Sequence, residues 1–277
     1  MIERDIVVDG GRILRTYDGG ARSPEAPVLF WHHGSPQTGA ILEPIAVAAE
    51  RRGIRVISYA RPGYPGSTPD PGRRVASAAA DVARIADRLG IARFGVMGAS
   101  GGGPHALACA ALLPDRVLGA VGLAAIAPLT DRFDWWAGMA SDAGLRAAVD
   151  GRAARARFAE TEEFVPESFI PADWEALSGA WASLGADAGA AGEAGPDGLV
   201  DDDVAFAADW GFDPAGVLAP TLLVQGGLDR VVPAAHARHL LEICPNSELW
   251  YRPRDGHISV LAAVPVAMDW LLDRLTA

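Results

Sequence analysis

Short apolar runs alternate with amphipathic stretches along the first 126 residues of the chain. Apolar runs rich in Val, Ile, Leu and aromatic side chains are typical of buried strands, whereas apolar residues three and four positions apart are typical of helices. The predicted strands are residues 5–8, 12–17, 27–32, 54–59, 93–97 and 117–126, and the predicted helices are residues 41–52, 75–89 and 103–113. This alternation predicts an α/β fold, a parallel sheet with helices on both faces.

The alternation breaks at Pro128 and resumes at Pro220. The intervening segment has no clean strand pattern, contains five tryptophans and includes an Ala/Gly-rich stretch, residues 179–198. Beyond it, strands are predicted at residues 221–225 and 248–251, and helices at residues 233–243 and 258–275. We therefore expect one core, residues 1–127 and 215–277, interrupted by a mostly helical cap (lid) with a flexible part, residues 128–214.

A glycine-rich turn around Ser100 carries the strongest chemical signal. The segment Gly98-Ala99-Ser100-Gly101-Gly102 directly follows a predicted strand and directly precedes a predicted helix. In that position a G-x-S-x-G pattern forms a tight turn that lifts the serine hydroxyl above the sheet. A chance match is the alternative in a chain with 32 glycines, but the placement between strand and helix argues against it. Ser100 is the predicted nucleophile.

A serine hydroxyl is a weak nucleophile that needs a base, and the base needs an orienting acid. His257 follows the last predicted strand, and Asp229 follows the strand before it. Loops after the carboxyl ends of strands are where such groups can meet. The order Ser100, Asp229, His257 is the one expected with this turn. Asp255 is a rival acid, although its closeness to His257 favours a role in a turn.

The remaining histidines are weaker candidates for the base. His105, His236 and His239 lie on predicted helices, where we interpret them as packing or surface residues. The spacing of His236 and His239 could suit a metal ion, but no third ligand is evident. We therefore expect no metal and no cofactor.

Acyl transfer also needs donors for the oxyanion that develops on the substrate. The backbone N–H of Gly101, immediately after the nucleophile, is the first predicted donor. The second predicted donor is the N–H of Ser35, in the loop His33-Gly34-Ser35-Pro36 after the strand at residues 27–32. A plain turn before a helix is the alternative interpretation of that loop.

Taken together, these segments resemble the α/β-hydrolase family over nearly the whole chain. The resembling segments are residues 33–36, 61–67, 98–102, 227–229 and 256–257. The resemblance implies an eight-stranded, mostly parallel sheet flanked by helices, with a cap inserted after strand six. Gly103 departs from the usual turn because it adds a further glycine, which we expect to have no effect on catalysis.

The resemblance implies several activities. Ser at position 100 disfavours the dehalogenases and epoxide hydrolases, whose nucleophile is Asp. The first expectation is a serine hydrolase that cleaves a small carboxylic ester or lactone through an acyl-enzyme. A proline iminopeptidase-like aminopeptidase is the alternative, for which Glu160, Glu162 or Glu163 could bind the free amine. A non-catalytic ligand-binding protein is less favoured, since a binder has no need of all three catalytic residues.

The cap should determine specificity. Its large apolar side chains are predicted to form a wall over Ser100 and to bind a small-molecule substrate with an apolar group; packing against the core is the alternative. The predicted substrate-binding residues are Trp135, Trp136, Met139 and Trp174, with Phe133 and Trp181 as further candidates.

Composition limits the other partners. A formal net charge of −11 disfavours nucleic acid and anionic membranes. The two cysteines, Cys109 and Cys244, are expected to be reduced and packed. No apolar leader is visible, and the longest apolar run, residues 117–129, is too short to cross a bilayer. The expected location is the cytoplasm, and the expected state is a monomer or homodimer.

Overall fold

The computed structural model describes residues 1–21 and 23–276, and within them eight strands form one sheet. Their order is β1-β2-β4-β3-β5-β6-β7-β8. Strand β2 runs antiparallel to β1 and β4, and the other neighbours are parallel. The strands are β1 (Ile2–Val7), β2 (Ile13–Gly20), β3 (Val28–His32), β4 (Arg55–Tyr59), β5 (Phe94–Ala99), β6 (Val117–Leu123), β7 (Thr221–Gly226) and β8 (Ser247–Arg252). The predicted eight-stranded, mostly parallel sheet is confirmed.

Ten α-helices accompany the sheet in the described part of the chain. They are α1 (Glu43–Glu50), α2 (Ser77–Arg88), α3 (Gly102–Leu112), α4 (Ala143–Val149), α5 (Arg152–Ala159), α6 (Pro171–Ser178), α7 (Ala182–Glu193), α8 (Asp197–Ala207), α9 (Ala234–Ile243) and α10 (Val264–Leu275). Helices α4 to α8 lie between β6 and β7, a segment we call the helical insertion. Its residues are all described and form no strand.

Two predicted elements end differently in the structure. Strand β6 stops at Leu123, before the predicted end at residue 126, because Ala124 has a φ of 47° and turns the chain out of the sheet. The predicted helix at residues 258–275 is a 3₁₀ turn, Ser259–Ala263, followed by α10. Pro265 explains the break, since it lacks the N–H that a continuous α-helix would need there.

The middle of the sheet is buried on both faces. Every residue of β5 and β7 is buried, as expected of parallel strands covered by helices on two sides. Helix α10 packs so closely that a Cβ at Gly95 would lie 2.7 Å from a methyl carbon of Leu271. Because β3, β5, β7 and β8 run in the same direction, the loops after them meet at one edge of the sheet.

No helix in the described residues combines the length and the apolar character that a membrane crossing requires.

Candidate active site

Ser100 lies on the sharp turn between β5 and α3. Its φ is 53°, which is rare for a residue other than glycine and indicates a strained backbone. The turn is bonded at both sides, since Ser100 N–H donates to Leu123 O at 2.8 Å and Gly103 N–H donates to Ser100 O at 3.0 Å. The side chain is thereby presented at the edge of the sheet, near the positive end of α3.

The loop after β3 lies beside this turn. A Cβ at Gly101 would come within 2.5 Å of Ser35 Oγ, and a Cβ at Gly34 would lie 3.7 Å from Ser100 Cβ. The Gly34 N–H donates to Gln37 Oε1 at 2.5 Å. Within the described residues, the N–H groups of Ser35 and Gly101 have no hydrogen-bond acceptor. The two residues predicted to supply the oxyanion donors therefore lie next to each other.

Arg61 stabilises the loop after β3 through hydrogen bonds of its side chain. Its guanidinium donates to the carbonyl oxygens of His33 at 2.5 Å and Gly34 at 3.2 Å, and to Ser35 Oγ at 3.0 Å. The side chain is only 1% exposed. Arg61 belongs to one of the segments that resemble the family, but no sequence pattern indicated its role. In the structure it fixes the backbone next to Ser100.

Asp202, on α8 of the helical insertion, is the carboxylate that pairs with Arg61. The carboxylate forms hydrogen bonds or ion pairs with four side chains, among them Ser35, which donates through Oγ at 2.5 Å. The others are Arg61 Nη2 at 2.5 Å, Arg73 Nη2 at 2.6 Å and Tyr64 OH at 2.8 Å. Burial alone would raise the pKa of Asp202, but the charges of Arg61 and Arg73 outweigh it and hold that pKa well below its ordinary value. No sequence motif pointed to Asp202.

His33 and His105 are two further buried histidines next to the turn at Ser100. His33 Nδ1 donates to Gly34 O at 2.7 Å, and its Nε2 accepts from Arg61 N–H at 3.2 Å, so only the Nδ1–H tautomer fits. His105 Nδ1 donates to Gly101 O at 2.7 Å. Burial first, and then the charge of Arg61, hold the pKa of both rings well below the ordinary value. Their geometry suits a structural role, not that of the base.

Asp229 and His257 form a buried pair at the ends of β7 and β8. Asp229 Oδ1 accepts the N–H groups of Val231 and Val232, each at 2.8 Å, which orients the carboxylate. Its Oδ2 accepts from His257 Nδ1 at 2.8 Å. This bond fixes the tautomer and leaves His257 Nε2 as the basic nitrogen. The rival acid Asp255 pairs instead with Arg252, three positions earlier.

Electrostatics favours the charged form of His257. Burial alone would lower its pKa, but the negative charge of Asp229, the hydrogen bond to it and the charge of Asp173 together raise that pKa above the ordinary value. His257 and Ser100 line the same cavity, whereas within the described residues the Ser100 hydroxyl has no hydrogen-bonded partner. The structure thus brings the two together at one cavity without a direct bond.

The cavity has a volume of about 520 Å³ and lies between the sheet edge and the helical insertion. Most of its wall is apolar and includes Phe164, which is 60% exposed. The other large apolar lining residues are Leu145, Val165, Phe169, Leu177, Leu184, Leu199, Val231, Ile258 and Leu261. One part is charged, where Arg155 Nε donates to Asp203 at 2.7 Å and Arg155 Nη2 contacts Glu162 at 2.7 Å. In the described part of the chain, no group of three or more His, Cys, Asp or Glu side chains is arranged to bind a metal.

The four predicted substrate-binding residues, Trp135, Trp136, Met139 and Trp174, lie outside this lining. Trp135 is buried and donates its Nε1–H to Ala127 O at 2.9 Å, while Trp174 is 42% exposed. The insertion does supply the apolar wall, but through other side chains. Glu162 and Glu163 line the cavity, whereas Glu160 does not.

Comparisons with solved structures show the same fold across nearly the whole chain. A hydrolase from Pseudomonas aeruginosa is 21% identical with a TM-score of 0.76, over 99% of this chain and 98% of that one. An esterase from Thermogutta terrifontis is 22% identical with a TM-score of 0.71, over 100% of both chains. An enol-lactonase from Burkholderia xenovorans is 21% identical with a TM-score of 0.73, over 99% of this chain and 100% of that one. A search of curated proteins found no match.

The family model for the alpha/beta hydrolase fold matches residues 27–263, which span the turn at Ser100, the helical insertion and the Asp229–His257 pair. Since this match covers most of the chain, the protein belongs to the α/β hydrolase fold family.

Proposed function

We propose that the protein is a serine hydrolase that cleaves a small carboxylic ester or lactone. The observation that carries the proposal is the 2.8 Å bond between Asp229 and His257, in a cavity that Ser100 and His257 line together. An oriented histidine beside a serine on a strained turn is the arrangement that nucleophilic acyl transfer requires.

In the proposed reaction, His257 Nε2 removes the proton from Ser100 Oγ as the oxygen attacks the substrate carbonyl. The bond between Ser100 and His257 forms once substrate is bound, since catalytic hydrogen bonds are often long in ligand-free sites. The N–H groups of Ser35 and Gly101 donate to the oxyanion. His257 then protonates the leaving alcohol oxygen, and the acyl group stays on Ser100. His257 then takes a proton from a water molecule as the water oxygen attacks the acyl carbonyl, and it returns that proton to Ser100 Oγ as the bond to the acyl group breaks and the carboxylic acid leaves.

The cavity wall supports an apolar acyl or alcohol group. Apolar side chains surround the space next to Ser100, so a hydrocarbon group gains about 25 cal/mol for each Å² that it buries there. An esterase and an enol-lactonase are among the similar structures, in keeping with an ester or lactone substrate.

An aminopeptidase of the proline iminopeptidase type is the second candidate. Glu162, Glu163 and Asp203 line the cavity and could bind the free amine of a peptide. Against it, Arg155 already pairs with Glu162 and Asp203, which leaves less negative charge for a substrate amine. We therefore rank this activity below ester hydrolysis.

The test is hydrolysis of p-nitrophenyl esters from acetate to octanoate, with proline p-nitroanilide as the peptidase substrate. Ser100→Ala should lower ester turnover by about 10³-fold or more with unchanged circular dichroism. Ser178→Ala is the control, because this hydroxyl donates to Trp174 O on the same helix and lies outside the cavity lining.

Burst kinetics in the wild type that disappear in Ser100→Ala would support the acyl-enzyme on Ser100. Full activity in Ser100→Ala would overturn the proposed nucleophile. Turnover of the nitroanilide alone would replace the esterase with the aminopeptidase.

A further inference from the structure

Asp173 is a buried acid of the helical insertion that the proposed reaction does not use. It lies in the first turn of α6 and is 0% exposed. No arginine of the described residues forms an ion pair with it, unlike Asp202 and Asp203. A buried carboxylate without a cation must be stabilised by hydrogen-bond donors, so the identity of those donors indicates its purpose.

The donors come mainly from the loop that carries His257. Asp173 Oδ2 accepts from His257 N–H at 3.2 Å, and Oδ1 accepts from Ile258 N–H at 2.9 Å and from Ser259 N–H at 2.7 Å. The Ser259 hydroxyl adds a fourth bond at 2.8 Å. Only one donor, Ile170 N–H at 3.1 Å, belongs to the insertion itself. A carboxylate that only capped the first turn of α6 would need the bond from Ile170 but not the bonds from residues 257–259.

Gly256 permits this close approach. A Cβ at that position would overlap the Asp173 carboxylate, with 2.7 Å to its carbon Cγ. Gly256 N–H donates to Ser259 Oγ at 2.8 Å, and Ser259 Oγ in turn donates to Asp173. The loop on both sides of His257 is therefore bonded, directly or through Ser259, to one carboxylate from another part of the chain.

We propose that Asp173 is a positioning residue for the general base: its carboxylate fixes the His257 loop, and its negative charge favours the imidazolium that forms when Ser100 is deprotonated. This inference rests on the proposed function, in which His257 removes that proton. The charged groups that act on His257 are Asp229, from the loop after β7, and Asp173, from α6. Asp229 orients the ring through Nδ1, whereas Asp173 bonds the backbone, so the two carboxylates act on different parts of the residue.

The test is Asp173→Asn, which keeps the shape and removes the charge. Since the charge of Asp173 contributes to the raised pKa of His257, the variant should titrate His257 at a lower pH than the wild type does, as followed by NMR of the imidazole ring. The acid limb of the kcat/KM profile should move to lower pH by the same amount. The plateau of kcat should fall about tenfold to a hundredfold with KM nearly unchanged, because the loop loses its fixed position.

Asp187→Asn is the matched control. Asp187, on α7, also joins the insertion to a core loop, since it accepts Thr38 N–H at 3.1 Å and the Thr38 hydroxyl, but it does not contact the His257 loop. In Asp187→Asn, the acid limb of the kcat/KM profile should lie at the same pH as in the wild type. A variant Asp173→Asn that loses stability but keeps the wild-type ring titration and kcat would overturn the proposal.

Ser259→Ala keeps the proposal testable should Asp173→Asn fail to fold. It removes one donor to Asp173 and the contact with Gly256 N–H, and it should lower kcat several-fold at constant KM; an unchanged kcat would overturn the positioning role. The ring titration does not depend on turnover. A lowered ring pKa in Asp173→Asn together with full esterase activity in Ser100→Ala would support the role of Asp173 and overturn the proposed function alone.

Discussion

Gly102 lies where the chain turns from β5 into α3 against the end of β3. A Cβ at this residue would overlap the carbonyl oxygen of His32 and lie 2.7 Å from the carbonyl oxygen of His33. Both contacts are backbone atoms, which cannot rotate away as a side chain can. The glycine is thus required by the close approach of two loops of the candidate site, not by its own dihedral angles.

We expect Gly102→Ala to lower the free energy of unfolding by at least about 3 kcal/mol, because the new methyl group meets backbone on two sides. Gly192→Ala is the control: it lies on α7 with no atom within 4 Å of the added Cβ. Better helix propensity should stabilise that variant by about 0.5–1 kcal/mol. Urea unfolding measures both, and wild-type stability in Gly102→Ala would show that the turn can relax.

The sequence pointed to some residues of the candidate site and missed others for a clear reason. Ser100 could be found from a local pattern, and Asp229 and His257 from their order after the last two strands. Asp173 and Asp202 contact loops that are 84 to 86 and 167 positions away, and neither belongs to a motif. Only tertiary packing shows that these two helical residues bond the loops of the candidate site.

Helix α8 presents two consecutive acids to different surroundings. Asp202 is bonded to Arg61 and Arg73 of the core, and Asp203 is bonded to Arg155 of the insertion beside the cavity. A helix turns about 100° per residue, so the consecutive residues Asp202 and Asp203 point to different sides of α8. One helix therefore joins the insertion to the loop at Ser35 and also forms the charged part of the cavity wall.

Asp202→Asn should lower the free energy of unfolding by about 3–5 kcal/mol, since it leaves the buried charges of Arg61 and Arg73 without their carboxylate. Asp197→Asn is the comparison on the same helix. The Asp197 side chain is 65% exposed and pairs with Arg152, so its loss should cost less than about 1 kcal/mol. Equal midpoints of urea unfolding for the two variants would contradict the importance of the buried network.

Hydrophobic patterning predicted the existence of all eight strands but not their order in the sheet. The buried parallel strands gave the clearest pattern, because they are continuous apolar runs. It was less accurate at the ends of elements, as at Ala124 and Pro265, where backbone geometry decides. The pattern was least informative about the helical insertion, because it does not distinguish a large apolar residue that lines the cavity from one that packs against the core. Whether Trp135 or Leu145 faces the cavity depends on how five helices pack, which periodicity does not specify.

Over the whole molecule, Asp203 should make stability depend on pH. Burial raises its pKa from 3.8 to about 7, with the pairing to Arg155 acting in the opposite direction. Between these values the folded state keeps a proton that the unfolded state has released. Stability contributed by this group is therefore present at acid pH and is lost as the pH rises from about 4 to about 7.

Asp203→Asn cannot titrate and should flatten this dependence. Between pH 4 and pH 8 the wild type should lose on the order of 4 kcal/mol more unfolding free energy than the variant, the equivalent of about three pKa units. Urea unfolding across this range makes the comparison, with Asp209→Asn as an exposed acid that should keep the wild-type slope. Parallel curves for wild type and Asp203→Asn would show that Asp203 is ionised throughout.

The bonds from Asp173, Asp187 and Asp202 to the core loops also bear on the order in which the protein folds. They join residues 84 to 86, 149 and 167 positions apart, so each closes a long stretch of chain. Closing long loops costs entropy and makes such contacts late events in folding. During synthesis, the strands up to β6 and Ser100 emerge before the residues of the helical insertion that bond the loops of the candidate site. Reactivity toward esters should therefore be among the last properties the chain acquires, after most of its secondary structure has formed.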